Sequence, residues 1–92
     1  MRVLRWTSKA FADLERLHDF LAPANPRAAA RVVQALAAAP ESLLSFPRVG
    51  QRLVAFDPRE VRRPVIKDYE IRYEVADDAI HVLRIWHARE DR

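Results

Sequence analysis

The stretch YEIRYEVADDAIHVLRIW, residues 69–86, decides the fold of this chain. In its first half, Tyr69, Ile71, Tyr73 and Val75 alternate with Glu70, Arg72 and Glu74. Side chains along a strand point to opposite faces in turn, so the alternation predicts a sheet with one buried and one wetted face. The segment ADD reads as a turn. Beyond it, AIHVLRIW carries apolar residues on both parities, Ile80, Val82 and Trp86 against Leu83 and Ile85. A strand that is apolar on both sides belongs in the middle of its sheet.

Upstream, QRLVAF and EVRRPVI are also rich in β-branched and aromatic residues, and the breaks DPR and KD are turn-like. The second half of the chain therefore reads as an antiparallel meander. Pro64 interrupts EVRRPVI and removes a ladder donor, which makes that strand an edge at this point or gives it a bulge. Gly50, the only glycine, is the natural place for a positive backbone angle where the helical half ends.

The first half has a different rhythm. Val3 to Trp6 is short and rich in strand formers, and TSKAFADLERLHDFL follows with helical spacing. Thr7 is placed to cap, and Ala10, Phe11, Leu14, Leu17, His18 and Leu21 share one face. Asp13, Glu15, Arg16 and Asp19 take the other side, and Phe20 lies off the stripe, either at the core edge or on a docking surface. A second helix starts with Asn25 as cap and Pro26 at the first helical position, where a missing N–H does no harm. Ala29, Val32, Val33, Leu36, Leu43 and Leu44 keep one phase across Pro40, which predicts a single helix kinked there. Its outer face carries Arg27, Arg31, Gln34, Ala35 and Ala38. The order β-α-α-β-β-β gives an α+β fold, a helical hairpin packed on a small antiparallel sheet that the first strand joins.

At 92 residues, the chain is expected to form a single domain spanning 1–92. It has no cysteine, and His18, His81 and His87 are too scattered to suggest zinc, so no metal or cofactor is expected. The start, MRVLRW, lacks a signal-peptide stretch and no run is long enough to span a bilayer, so a cytoplasmic protein without a membrane partner is expected. Of 16 basic residues, only Lys9 and Lys67 are lysines. Arginine's planar fork suits carboxylates and phosphates, which points to an acidic protein or a nucleic acid. A GC-rich genome yields the same excess of arginine and alanine, so composition leaves the partner open.

No glycine-rich phosphate loop, metal-ligand spacing or nucleophilic cysteine is present. The chemistry that survives is metal-free phosphodiester cleavage, which needs a proton acceptor, a proton donor and cations for the developing charge. Arg62, Arg63, Arg72, Arg84 and His87 are the parts at hand. In RIWHARED, His87 shares the face of Ile85, whereas Arg84 and Trp86 point the other way if the strand stays regular. A convergent Arg84 and His87 pair therefore needs the strand to end or twist between them. The structural expectation is that His87 anchors the tail by hydrogen bonding, and that Arg84 stacks on Trp86 or pairs with Glu74. Arg62 and Arg63 place a basic patch on the presumed edge strand.

Five stretches in order, WTSKAFADLERLHDFL, NPRAAARVV, LLSFPRVGQRL, REVRRPVIKDYEIRYEV and VLRIWHARED, span nearly the whole chain. Together they resemble the ParE/RelE superfamily of bacterial toxins from type II toxin–antitoxin pairs, the ParE branch more closely. The resemblance implies the β-α-α-β-β-β fold and a hetero-oligomer with a cognate ParD-like antitoxin, an acidic partner that wraps the toxin with helices and extended segments. ParE-like members act on DNA gyrase without catalysis. RelE-like members cut mRNA on the ribosome with a lysine- and arginine-rich sheet face and an aromatic residue or histidine near the C-terminus. Here Lys67 is the one lysine of the sheet half and sits at a turn, a departure from the nuclease pattern. Only Arg63, Arg84 and His87 match nuclease positions, and loosely. Lys67 also stands where many relatives have glycine, and Pro64 where an aliphatic residue is usual.

The reading that follows is a gyrase inhibitor neutralised by its antitoxin. Its alternatives are a ribosome-dependent mRNA endonuclease and an inactive toxin fold kept for antitoxin binding and promoter control. Phe20, Arg27, Arg31, Arg62, Arg84 and Trp86 are the expected partner contacts, with no sequence-specific DNA binding by this chain alone.

Overall fold

Thr7 and Asn25 set where the helices begin. In the computed structural model, which describes residues 1–90, the Thr7 hydroxyl accepts from the Ala10 N–H at 3.1 Å and opens α1 (Ser8–Leu21). The Asn25 side chain does the same for the Ala28 N–H at 3.1 Å and opens α2 (Pro26–Ala38), with Pro26 in its first turn. The two helices pack on each other, and Ala10, Leu17 and Leu36 bury against Ile71, Val82 and Ile85 of the sheet.

α2 does not run through Pro40. It ends at Ala38, and the chain tightens into a 3-10 segment, Ala39–Leu44, with Pro40 in its first turn. Inside an α-helix, proline lacks the N–H and its ring meets the carbonyl four residues back, so a change of winding replaces the expected kink. Leu43 still reaches the core beside Tyr73, Val75 and Ile80, while Leu44 is turned out to 41% exposure.

The strands are β1 (Val3–Trp6), β2 (Gln51–Arg52), β3 (Glu60–Arg63), β4 (Val65–Ile66), β5 (Tyr69–Val75) and β6 (Ala79–His87). They lie in the order β1-β6-β5-β3-β2, with β4 beside β5. β5 is central, with β6 between it and β1, and β5–β6, β3–β5 and β2–β3 are antiparallel. β1, however, runs parallel to β6, from Val3 opposite Ala79 to Trp6 opposite Val82, so the sheet is mixed and not wholly antiparallel. Only a tight hairpin enforces antiparallel pairing, and nearly the whole chain separates these two strands.

Two further expectations change. QRLVAF pairs only through Gln51 and Arg52, and Val54–Phe56 turns into a short 3-10 segment. β3 is consequently not an edge, because Gln51 and Arg52 lie opposite Arg63 and Arg62. Pro64 ends β3, its carbonyl accepts from the Ile71 N–H at 3.0 Å, and pairing resumes in β4. Gly50 has φ 78° and lies against Pro64, where a Cβ would come within 2.6 Å of the proline nitrogen. Among the described residues, no other strand flanks the far side of β4, and Lys67 in the following turn has φ 56°.

The mixed parity of AIHVLRIW has a local cause. Arg84 lies opposite Arg72, but Val82 lies opposite Tyr73, so Leu83 is an extra residue, a β-bulge. The buried positions accordingly run Ile80, Val82 and then Ile85, His87.

Candidate functional site

β1 accompanies β6 only as far as Val82. Beyond that point, the edge amides and carbonyls of β6 need other partners, since a buried one without a partner is destabilising by about 1–3 kcal/mol. The N-cap and first half of α1, as far as Arg16, supply side chains in place of a strand. The Thr7 hydroxyl donates to the Leu83 carbonyl at 3.0 Å, Asp13 accepts from the Ile85 N–H at 2.8 Å, and Arg16 donates to the Ile85 carbonyl at 2.7 Å.

Asp13 is the hub of this arrangement, and it corrects the expectation of a solvent-facing acid. It is 3% exposed and also accepts from Arg84 at 2.8 and 3.1 Å and from Arg16 at 2.9 Å. Burial alone would raise its pKa, but the hydrogen bonds from Arg84, the Ile85 amide and Arg16 outweigh it and hold the carboxyl below its ordinary value. Arg16 also pairs with Glu90, whose other oxygen accepts from the His87 N–H at 2.8 Å. The clue to Asp13 in the sequence is a length mismatch: the last strand candidate is longer than the first, so part of its edge needs another cover.

The face of the sheet turned away from the helices carries Arg63, Glu70, Arg72, Arg84 and Trp86. Glu70, expected to be wetted, is 3% exposed and accepts from Arg63 at 3.0 Å and Arg72 at 3.2 Å. The Arg72 and Arg84 guanidinium carbons lie 4.6 and 4.8 Å from the Trp86 ring centroid, within cation–π range. Arg84 thus stacks on Trp86, and its carboxylate partner is Asp13. Glu74 belongs to Arg59 at 2.7 Å, and that hydrogen bond lowers the Glu74 pKa against the opposing effect of burial.

His87 lies on the opposite face. It is 8% exposed, with Tyr69 edge-on at 5.0 Å and Phe20 tilted at 5.5 Å. Its Nδ1 accepts from the Arg89 N–H at 3.0 Å, which ties down the start of the tail. Arg63 and Arg84 are therefore on one side of the sheet and His87 on the other, and the three do not converge.

Arg62 is turned to the face opposite Arg63. It donates to Glu60 at 2.8 Å and to the Gly50 carbonyl at 2.9 Å. Glu60 also pairs with Arg48; burial pushes its pKa up, but the two arginines lower it further. The expected basic patch on an edge strand is thus absent, because β2 covers β3 and the two arginines diverge. Phe20 is 49% exposed, and Arg27 and Arg31 are exposed on α2. Among the described residues, no group of three or more histidine, cysteine or acidic side chains is placed to hold a metal ion.

Residues 4–92 match the family model of the ParE toxin of type II toxin-antitoxin system, parDE. The chain is 41% identical over 83 residues to Toxin RelE2 of Caulobacter vibrioides, covering 90% of this chain and 91% of that protein. Toxin RelE1 of the same organism is 41% identical over 85 residues, covering 91% of this chain and 90% of the relative. A solved structure, Chromosomal ParDE TA system from P. aeruginosa, superposes with a TM-score of 0.78 at 26% identity, covering 97% of this chain and 98% of that one.

Proposed function

The chain belongs to the ParE/RelE superfamily of toxins from type II toxin–antitoxin systems, and on that premise we propose that it arrests growth by binding DNA gyrase. A cognate antitoxin neutralises it, and both act in the cytoplasm. One observation carries the choice of binding over cleavage: His87 faces the helices with Nδ1 engaged, away from Arg63 and Arg84. Cutting RNA needs an acid and a base on the surface that meets the substrate, with cations free to take up the developing charge. Here Arg63 and Arg72 are held by Glu70, and Arg84 is held by Asp13. Inhibition by binding requires only a complementary surface.

A specific observation favours the second reading, a ribosome-dependent endonuclease using Arg63, Arg84 and His87: the relatives named above are RelE toxins. Inducing the chain without antitoxin, and following supercoiling, the DNA-damage response and protein synthesis separately, divides the readings. Supercoiling is expected to fall and the damage response to rise before translation slows. Translation stopping first, with mRNA cut at ribosomes, would overturn the gyrase reading. An unaffected culture would point to a toxin fold kept for antitoxin binding and promoter control. In the same assay, His87→Ala is expected to remain nearly as toxic as the parent; complete loss in a stably folded variant would argue for catalysis.

A further inference from the structure

Between Leu44 and Gly50 the main chain is tied to the sheet while large apolar side chains stay outside. The Tyr73 hydroxyl, from a residue with no exposed surface, reaches the Pro47 and Val49 carbonyls at 2.7 and 2.8 Å and shares its one proton between them. Arg62 donates to the next carbonyl, that of Gly50, at 2.9 Å. Phe46 nevertheless stands 68% exposed, with Leu44 and Val49 exposed on either side of it in the sequence. Phe46 and Val49 line a groove of about 320 Å³ together with Ser45, Pro47 and Arg48.

Isolated exposed apolar side chains are ordinary on a protein surface, but a group of them around one groove marks a contact. Function also concentrates on loops that a rigid scaffold positions. Here the scaffold contributes a buried phenol and a guanidinium to three carbonyls within four residues, which holds the loop in one shape before contact. Such preorganisation removes part of the ordering cost of association.

The cations around the groove are already taken. Arg48 pairs with Glu60 at 3.1 Å, Arg62 with the same carboxylate oxygen at 2.8 Å, and Arg52 with Asp57 at 3.0 Å. Arg27 and Arg31 on α2, in contrast, make no ion pair among the described residues. Carboxylates of an acidic partner are therefore drawn to α2 and gain little at the groove, whose complement is an uncharged apolar surface. We infer that this groove is the surface that meets the target, taking an apolar projection of DNA gyrase, an inference that rests on the gyrase reading above. Phe46 and Val49 make the contact. Tyr73 and Arg62 are positioning residues that act through the loop carbonyls.

The test measures binding of the purified full-length chain to purified gyrase at low and high salt, with supercoiling inhibition, thermal melts and, as a control, affinity for the cognate antitoxin. The parent is expected to hold gyrase with a weak salt dependence, as an apolar contact does. Phe46→Ser changes an exposed side chain, and is expected to melt like the parent yet inhibit about 100-fold less well, with antitoxin affinity within about twofold. Phe46→Leu keeps apolar bulk and should lose only several-fold. Tyr73→Phe keeps the ring but frees the loop, and should lose roughly tenfold in inhibition while antitoxin affinity stays within about twofold. Val3→Ser, at an exposed apolar position on β1, the opposite edge of the sheet from β2, should stay within about twofold. A parent chain that neither binds nor inhibits gyrase would overturn the gyrase reading itself. Tight parent binding with Phe46→Ser unchanged would overturn the groove alone. Equal losses toward gyrase and antitoxin would also overturn it, as would a parent dimer that Phe46→Ser dissociates without loss of inhibition.

Discussion

The open face of the sheet and the exposed side of α2 are both arginine-bearing surfaces, yet they are in opposite electrostatic states. On the sheet, Glu70 lies between Arg63 and Arg72, and Asp13 holds Arg84 with two hydrogen bonds. On α2, Arg27 and Arg31 are exposed and make no ion pair among the described residues. The difference teaches that a count of basic residues measures capacity and not availability. A carboxylate already seated on an arginine competes with any incoming phosphate, and displacing it leaves a buried acid unpaired. The surface with fewer cations is the one better able to attract an acidic partner.

The most severe way to break this contrast is Asp13→Ala. It strips Arg84 and Arg16 of a carboxylate and leaves the Ile85 amide without its acceptor, and a loss of about 3–5 kcal/mol in urea unfolding is expected. A variant as stable as the parent would mean that the sheet arginines are not held as described. Glu70→Gln keeps the shape but removes the charge between Arg63 and Arg72, with an expected loss of roughly 2 kcal/mol by the same measurement.

Acid probes the same side of the contrast without mutation. Asp13, Glu60 and Glu74 have folded pKa values below their ordinary 3.8, 4.5 and 4.5. A group with a depressed folded pKa stabilises the fold fully above its unfolded value, and this contribution disappears as pH falls through the folded one. Melting temperature is thus expected to hold near neutrality and to drop from about pH 5 downward, less steeply in Asp13→Asn. The smallest effect sharpens the contrast from the other side. Arg27→Ala on the uncommitted surface is expected to change stability by no more than about 0.5 kcal/mol, although it removes the same kind of residue as Arg84→Ala.

What was legible in the sequence was local. Thr7, Asn25 and Pro26 mark the helix starts through bonds that span three residues, and the alternation in β5 gave its helix-facing side directly. The parallel pairing of β1, the shortened β2 and the burial of Asp13 and Glu70 depend on partners far along the chain. Asp13 meets Ile85 across 72 positions, and nothing within its own helix distinguishes it from a solvated acid. Among the candidate residues, single contacts were more legible than their arrangement. Arg84 and Trp86 do stack, but the face assigned to each residue after Leu83 depends on a bulge that mixed hydrophobic parity resembles only from outside.

That bulge has a consequence for how this strand tolerates lost residues. Removing one residue from a central strand ordinarily turns every later side chain inside out. At Leu83 the count is already one too many, so deleting it restores an even ladder in which Ile80, Val82, Ile85 and His87 still face the core and Arg84 and Trp86 still face away. The strand thus contains a position at which a shortened chain keeps its inside and outside intact, provided that Thr7 finds another carbonyl to replace that of Leu83.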